Sequence, residues 1–421
     1  MQLIHRAVRA FGVILVAAAV LVVAAPARAQ VVQFDTTHGL YYEAPLRTHM
    51  FVYTPSATLT ANPSDWLSVN AGWEADVVSG ASVATKAGPA YQATQPSADV
   101  ISTASVHDFR NVGRGGFTVK KDNTSFGAGG LYSTENDYRS VSFNVMARTE
   151  LYEHNTQLEL DYAHNFDDVC DLVQDPNALP AGRLALPSSQ GCFNPSDKTR
   201  TQHDIAIDNL QGTWSQALTP VFQMQGIYTL QIVNGFQSDP YRSVQLGAGL
   251  KAQEYTPQNR YRHSVAVRGN YFMRGLKAAL RVGLRGYWDT WNIASGTVEL
   301  EFEKYLTSAF RLGANGRLYK QTGAIFWSDD YTGGAPPQLG PKGQYFTGDR
   351  ELSPFFSFMV GVKGTYAVAA AEKKVLGFMT DTKLVVAANF MQFNYDEYTL
   401  GGQSLGDVRA YLLNIGFSAG F

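Results

Sequence analysis

The sequence carries little charge and, beyond its N-terminal region, no long apolar run. Asp, Glu, Lys and Arg make up 17% of the chain and the formal net charge is −2, so the basic excess typical of nucleic-acid binding is missing. The mean hydropathy of −0.16 is too polar for a bundle of transmembrane helices, because each span needs about 20 apolar residues in succession. These absences exclude nucleic-acid-binding proteins and membrane proteins built from transmembrane helices.

Residue patterns for catalysis and metal binding are also missing. The eight histidines include no pair at metal-ligand spacing on one face, and no Gly-x-Ser-x-Gly elbow occurs. His203 is adjacent to Asp204, but the alternation of a strand would put these two side chains on opposite faces. The sequence therefore predicts no catalytic residue, no metal site and no cofactor. The enzymatic alternative is a barrel hydrolase with Ser or Asp beside His at its outer rim.

Glycine and aromatic residues are abundant instead, with 39 Gly, 24 Phe and 22 Tyr. This composition is typical of many short strands joined by tight turns. In the C-terminal stretch Tyr411–Phe421 every odd position is apolar or aromatic, whereas the even positions are mostly small or polar. An alternating strand that ends on an aromatic residue is typical of bacterial outer-membrane barrels. Phe421 is therefore predicted to be the signal that the barrel-assembly machinery recognises.

The N-terminal residues have the features of a secretory signal. A short basic region precedes the apolar run Phe11–Ala25, and Ala27-Arg28-Ala29 forms a small-x-small site. We expect residues 1–29 to be a signal peptide cleaved near Ala29, and residues 30–421 to form a single domain. The alternative is a membrane anchor, although the apolar run is shorter than the ~20 residues of a span.

Segments of about ten residues alternate in polarity along the mature chain, as transmembrane strands do. From Leu67 to Val77 the odd positions are apolar and the even ones polar or small, and the same period recurs at 141–148, 157–162 and 222–232. Short turns are expected at 62–65, 121–124, 152–155, 218–220, 273–275 and 305–308, and long connections at 78–110, 167–200, 237–258 and 328–351. We predict a closed antiparallel transmembrane β-barrel of about 16 strands, with 14 or 18 as alternatives, and both termini at the periplasmic end.

Three consecutive predicted strands place charged side chains on the inner face. Tyr261, Val265 and Val267 alternate with basic residues. Val298 and Leu300 alternate with acidic residues on a later strand. A hairpin turn at 293–295 would bring Arg285 close to Glu303. Either the charges neutralise one another and hold the barrel in shape, or they create a transverse field across a water-filled eyelet. The predicted lumen residues are Arg262, Arg268, Arg281, Arg285, Glu299, Glu301, Glu303, Arg311 and Arg317, with Tyr287 expected close to Glu301.

The only two cysteines are Cys170 and Cys192. Both fall in the predicted 167–200 loop, and in an exported protein a disulfide between them is the natural expectation. A redox role would need a Cys-x-x-Cys sequence, which is absent. Four aspartates between Asp167 and Asp175 make a calcium site conceivable, but their spacing matches no calcium loop.

Several segments resemble a bacterial family known as domain of unknown function 3570. They are the related segments 76–83 and 99–106, the run Tyr132–Ser140, and the stretches Asn155–Leu158 and Asp239–Val244. The run at 132–140, Tyr-Ser-x-Glu-x-Asp-Tyr-x-Ser, is the most specific of them. The resemblance implies an outer-membrane barrel without an established activity. It also implies a periplasmic redox partner, because members tend to be encoded near thioredoxin-like and flavin-transferase genes.

Two functions follow as expectations for a protein of the bacterial outer membrane. One is a porin-like channel for small polar solutes with a charged lumen. The other is a scaffold or anchor, plugged by its own loops, that engages a periplasmic or surface partner. Outer-membrane lipid and the assembly machinery are expected partners in both cases, and nucleic acid is not.

Overall fold

The protein forms a closed barrel of sixteen antiparallel strands, as the sequence predicts. The computed structural model describes residues 32–44, 50–80, 107–186, 193, 197–246, 251–329, 331, 345–368, 374–395, 397–400, 403–404 and 406–421. The predicted signal peptide lies outside these residues. No helix in this part of the chain is long and apolar enough to span a membrane.

The barrel strands follow one another around the wall in chain order. They are β1 (Val32–Ala44), β2 (Met50–Ser64), β3 (Leu67–Gly80), β4 (His107–Lys121), β5 (Thr124–Thr134), β6 (Tyr138–Leu151), β7 (Thr156–Leu172), β8 (Arg200–Thr219), β9 (Phe222–Gly235), β10 (Asn259–Met273), β11 (Ala278–Asp289), β12 (Ala294–Tyr305), β13 (Phe310–Gln321), β14 (Phe355–Val368), β15 (Thr380–Asn394) and β16 (Asp407–Gly420). Single 3₁₀ turns occupy Pro180–Gly182, Arg274–Leu276 and Arg350–Leu352. Two short hairpins outside the wall pair Ser243–Gln245 with Lys251–Gln253, and Thr399–Leu400 with Gln403–Ser404.

The C-terminal strand closes the barrel against β1. Gln33 pairs with Gly420 and Ala44 with Arg409, and the Phe421 N–H donates to the carbonyl oxygen of Val32 over 2.8 Å. Both described chain ends therefore lie side by side at one end of the barrel. The Phe421 ring stacks on Phe378 at a centroid distance of 6.0 Å.

Period-two alternation divides the wall into an apolar outer face and a polar inner face. Leu160, Leu284 and Val362 on the outer face are all more than half exposed, although such side chains are usually buried in water-soluble proteins. Tyr132, Tyr228, Tyr261, Tyr271, Trp288 and Tyr411 are exposed on this face as well. Tyr138 differs from these residues, since it is partly buried and its hydroxyl donates to Asp167.

Except for residues 369–379 between β14 and β15, connections are short at the end that holds the termini, which we call the short-turn end. The turns there lie close to the predicted positions, at residues 65–66, 122–123, 152–155, 220–221, 274–277 and 306–309. The predicted contrast in length is weaker at the opposite, long-loop end, where β5–β6 and β11–β12 are joined by only residues 135–137 and 290–293. The predicted 167–200 loop is shorter than expected, because β7 continues to Leu172 and Cys170 therefore lies in a strand rather than in a loop.

Three long loops, comprising residues 173–199, 236–258 and 322–354, pack together at the long-loop end, and we call their described parts the cap. Val244, Leu246 and Phe346 are fully buried there and pack with Ala181 and Tyr331. Burial of apolar side chains removes them from water and stabilises the loops. The cap is thus a small hydrophobic core built outside the strands.

Candidate functional site

The inner face of β10–β14 arranges the predicted charged residues in rows across the wall. Strand register aligns Arg268, Gly283, Glu299 and Arg317 in one row. The next row toward the short-turn end contains Arg281 and its neighbours Asn270, Glu301 and Asn315. Because side chains on one face of neighbouring strands lie about 5 Å apart, each row is a line of adjacent polar groups.

The row positions also correct the predicted hairpin. Arg285 pairs with Thr297 rather than lying near Glu303, and Tyr287 pairs with Ser295 rather than lying near Glu301. The turn is at residues 290–293, earlier than predicted, because the Asp289 carboxylate accepts the N–H groups of Trp291 and Ile293 over 2.9 and 3.0 Å. This capping ends β11 at Asp289 and shifts the whole register.

The rows nearest the short-turn end form a paired network. Arg281 lies 2.9 Å from Glu301 and 3.6 Å from Glu303, and Arg311 lies 2.9 Å from Glu303. The amino group of Lys363 reaches the same two carboxylates at 2.6 and 3.1 Å. Three cations thus share two carboxylates in this part of the lumen. This agrees with the interpretation that the charges neutralise one another and hold the barrel in shape.

The rows nearer the long-loop end are different. The guanidinium groups of Arg268, Arg285 and Arg317 form no hydrogen bond or ion pair with any residue that the structure describes. Arg268 and Arg285 are exposed to solvent and Arg317 is half-buried. Arg262 lies nearer the long-loop end and donates to the Gln231 amide oxygen over 2.7 Å. The predicted charged residues of the lumen, which we call the ladder, are therefore divided into a paired and an unpaired part.

A cavity of about 600 Å³ lies against both parts of the ladder. Arg268, Arg317 and Glu299 border it on one side, and Arg281 and Lys363 on the other. Ligand sites typically have volumes of about 300–1,000 Å³, so the space is large enough for a small solute together with water.

The family of the chain follows from a match along most of its length. The model of the family described as "Protein of unknown function (DUF3570)" matches residues 10–384. The chain belongs to this family. Within this DUF3570 chain the match includes fourteen of the sixteen strands completely, β1–β14, and reaches into β15.

Three solved structures are similar to this chain over most of its length. A bacterial polysaccharide outer membrane secretin has a TM-score of 0.48 and 8% identity, covering 93% of this chain and 97% of that one. OccK2 (OpdF) of Pseudomonas aeruginosa, in complex with glucuronate, has a TM-score of 0.42 and 7% identity, covering 93% and 98%. OprD of the same organism has a TM-score of 0.41 and 9% identity, covering 93% and 95%. No curated protein matches the sequence of this DUF3570 member.

Several residues of this DUF3570 chain form contacts that the local sequence does not predict. Lys363 joins the paired network from β14, and Glu43 on β1 forms an ion pair at 2.9 Å with Arg350 of the cap. His203 lies 3.3 Å from Asp171 instead of contacting the neighbouring Asp204. Within the described residues no group of three or more His, Cys, Asp or Glu side chains could hold a metal ion.

The predicted disulfide can be tested by its effect on the free energy of unfolding. Cys170 is fully buried at the end of β7, and Cys192 lies outside the described residues. If the two are joined, reduction should lower the free energy of unfolding by about 3 kcal/mol, because the bond restricts the unfolded chain. Urea unfolding in lipid vesicles with and without dithiothreitol measures this effect. Cys192→Ser is the control, since a disulfide-dependent difference must vanish in that variant.

Proposed function

We propose that this protein is an outer-membrane channel for small polar solutes. The observation that carries the proposal is the cavity of about 600 Å³ inside a closed barrel, bordered by the exposed guanidinium of Arg268 and the carboxylate of Glu299. A lumen lined by charged side chains can replace part of the hydration shell of a polar solute. An apolar wall cannot do this.

The apolar outer face supports a location in the membrane. A lipid environment requires every backbone polar group to be satisfied internally, and a closed barrel satisfies this requirement. The exposed belt of Leu, Val and aromatic side chains on the outer face is also typical of outer-membrane barrels. Export through the predicted signal peptide at residues 1–29 belongs to the same proposal.

The division of the ladder supports a preference for anions. In the unpaired rows three arginines, Arg268, Arg285 and Arg317, stand against one acidic residue, Glu299. The paired rows contribute three cations and two carboxylates. A positive excess on one wall raises the local concentration of anions, and it does so most strongly at low ionic strength.

A loop-plugged scaffold is the second candidate, and the cap favours it. Phe326 and Phe346 are fully buried in the loops, and Arg350 connects the cap to Glu43 on the barrel wall. Loops packed in this way would restrict passage at the long-loop end, and the protein would then act by holding a partner.

Conductance in planar bilayers distinguishes the two candidates. We expect steady ohmic steps from the wild type and a reversal potential that favours Cl⁻ under a KCl gradient. The double variant Arg268→Gln/Arg317→Gln should shift that potential toward K⁺ by about 10 mV, a fraction of the ~59 mV per tenfold gradient that complete selectivity gives for a monovalent ion.

Lys320→Gln is the matched control, because Lys320 lies on β13 close to Arg317 but on the outer face, next to Leu318 in the alternation. It should leave the reversal potential unchanged. An equal shift in both variants would contradict the lumen assignment, and a folded, heat-modifiable barrel that never conducts would favour the scaffold.

A further inference from the structure

A second, smaller cavity lies in the lumen between the unpaired arginines and the aromatic residues near the cap. Its volume is about 300 Å³. Arg268, Arg285 and Arg317 border one side together with the single carboxylate of Glu299, and Tyr319, Phe355 and Phe393 border the other. The cavity therefore combines a strongly cationic side with an aromatic side.

The cationic side is available to a ligand. Among the described residues none of the three guanidinium groups has an ion-pair partner, in contrast to Arg281 and Arg311 nearer the short-turn end. Gly283 lies between Arg268 and Glu299 in the row, and a Cβ there would stand 3.4 Å from the Glu299 carboxylate and 3.8 Å from the Arg268 side chain. Gly283 is buried, so the side chains of Arg268 and Glu299 already cover this part of the wall.

The aromatic side is already ordered by contacts within the fold. Phe355 packs against Tyr319, Phe393 and Tyr395 at centroid distances of 5.4, 6.2 and 5.2 Å. The Tyr319 hydroxyl donates to Gln321, so that the hydroxyl is already engaged. A flat apolar group could pack against these rings at little further cost in side-chain entropy.

We propose that this cavity binds small monocarboxylates carried on a flat ring, the class of the aromatic carboxylates. Arginine forks match the planar geometry of a carboxylate and bind it through two parallel hydrogen bonds, while the rings of Phe355 and Phe393 cover the body of the ligand. A volume at the lower limit of ligand pockets suits a single ring. The inference rests on the proposed channel and gives that channel a substrate class.

Equilibrium binding of benzoate to the full barrel in detergent tests the proposal. We expect saturable binding, and at least about tenfold weaker binding of benzamide, which lacks the charge, and of acetate, which lacks the ring. Arg268→Gln and Arg285→Gln should each weaken benzoate binding about tenfold, the loss expected for one exposed charge-assisted contact. Phe355→Leu should weaken benzoate but leave acetate unchanged.

Arg311→Gln removes the same charge from the paired rows and should retain benzoate binding within about twofold. Equal affinities for benzoate and benzamide would overturn the proposal. The proposal would also be overturned if Arg311→Gln weakened benzoate binding as much as Arg268→Gln does. The loss of affinity would then come from the overall electrostatic field of the lumen and not from this cavity. Binding is measured without ion flow, so a conducting barrel that ignores benzoate removes only this inference, and a silent barrel that binds it removes only the channel.

Discussion

Replacing Asp289 with alanine is expected to lower the free energy of unfolding by about 3–5 kcal/mol, the usual loss when one partner of a buried ion pair is removed. The Asp289 side chain is completely buried and lies 2.5 Å from the Arg260 guanidinium. It also accepts the Tyr287 hydroxyl over 2.6 Å and two backbone N–H groups of the turn. Unfolding by guanidinium chloride in phospholipid vesicles measures the loss.

The same variant should disturb the lumen. Without the Asp289 carboxylate the β11–β12 turn loses its capping contacts, and the pairing of Arg285 with Thr297 depends on that turn. Asp289→Asn should cost less, since its amide oxygen can still accept the turn N–H groups. Asp65→Ala, at an exposed turn of the short-turn end, is the matched control. A loss for Asp65→Ala as large as that for Asp289→Ala would contradict this account.

Replacing Arg242 with methionine is expected to open the cap without unfolding the barrel. The Arg242 guanidinium lies 2.9 Å from Glu254, 2.8 Å from Asp349 and 3.3 Å from Asp239. Removing it would leave three carboxylates without their shared cation, at a local cost on the order of 3–5 kcal/mol. Hydrogen exchange should rise at residues 236–246 and 345–354, while the strands stay protected.

The protection of the cap against hydrogen exchange in Arg242→Met should depend on pH. Burial raises the pKa of the Asp239 and Glu254 carboxyl groups above their ordinary values, even with Arg242 beside them. The folded cap therefore binds more protons than the unfolded loops, and its stability falls as pH rises from the ordinary carboxyl pKa through the raised value. The cap of Arg242→Met should thus be better protected near pH 5 than near pH 8.

Arg274→Met is the control for Arg242→Met, because Arg274 is exposed at the short-turn end. Exchange in the cap should not change in this variant. Protection that is equal at both pH values in Arg242→Met would contradict the role of the buried carboxylates.

The inner and outer faces of the candidate site could be read from the sequence, but its pairings could not. Alternation alone placed Arg268, Arg281 and Glu301 on the inner face, because a strand has only two faces. Which side chain meets which depends on the turn, and a turn shift of a few residues moved the neighbour of Glu303 from Arg285 to Arg281. Asp289 controls that shift through capping contacts, which the turn preferences of single residues do not reveal.

The cap could not be foreseen for a different reason. Arg242 and Asp349 are more than a hundred residues apart, and Arg350 and Glu43 more than three hundred. Local patterns of polarity carry no information about such contacts, since loops have no fixed period. The sequence identified the 237–258 and 328–351 connections as long and polar, and the structure shows that they share a buried core.

The amino-acid sequence by itself determined the architecture, because a barrel repeats one short rule sixteen times: alternate apolar and polar residues, then turn. It also determined which charges face inward. Only the tertiary structure decided which of those charges neutralise one another and which stay unpaired, that Lys363 joins them, and that the loops form a cap. These features depend on register and on contacts between distant segments, which arise only when the barrel has closed.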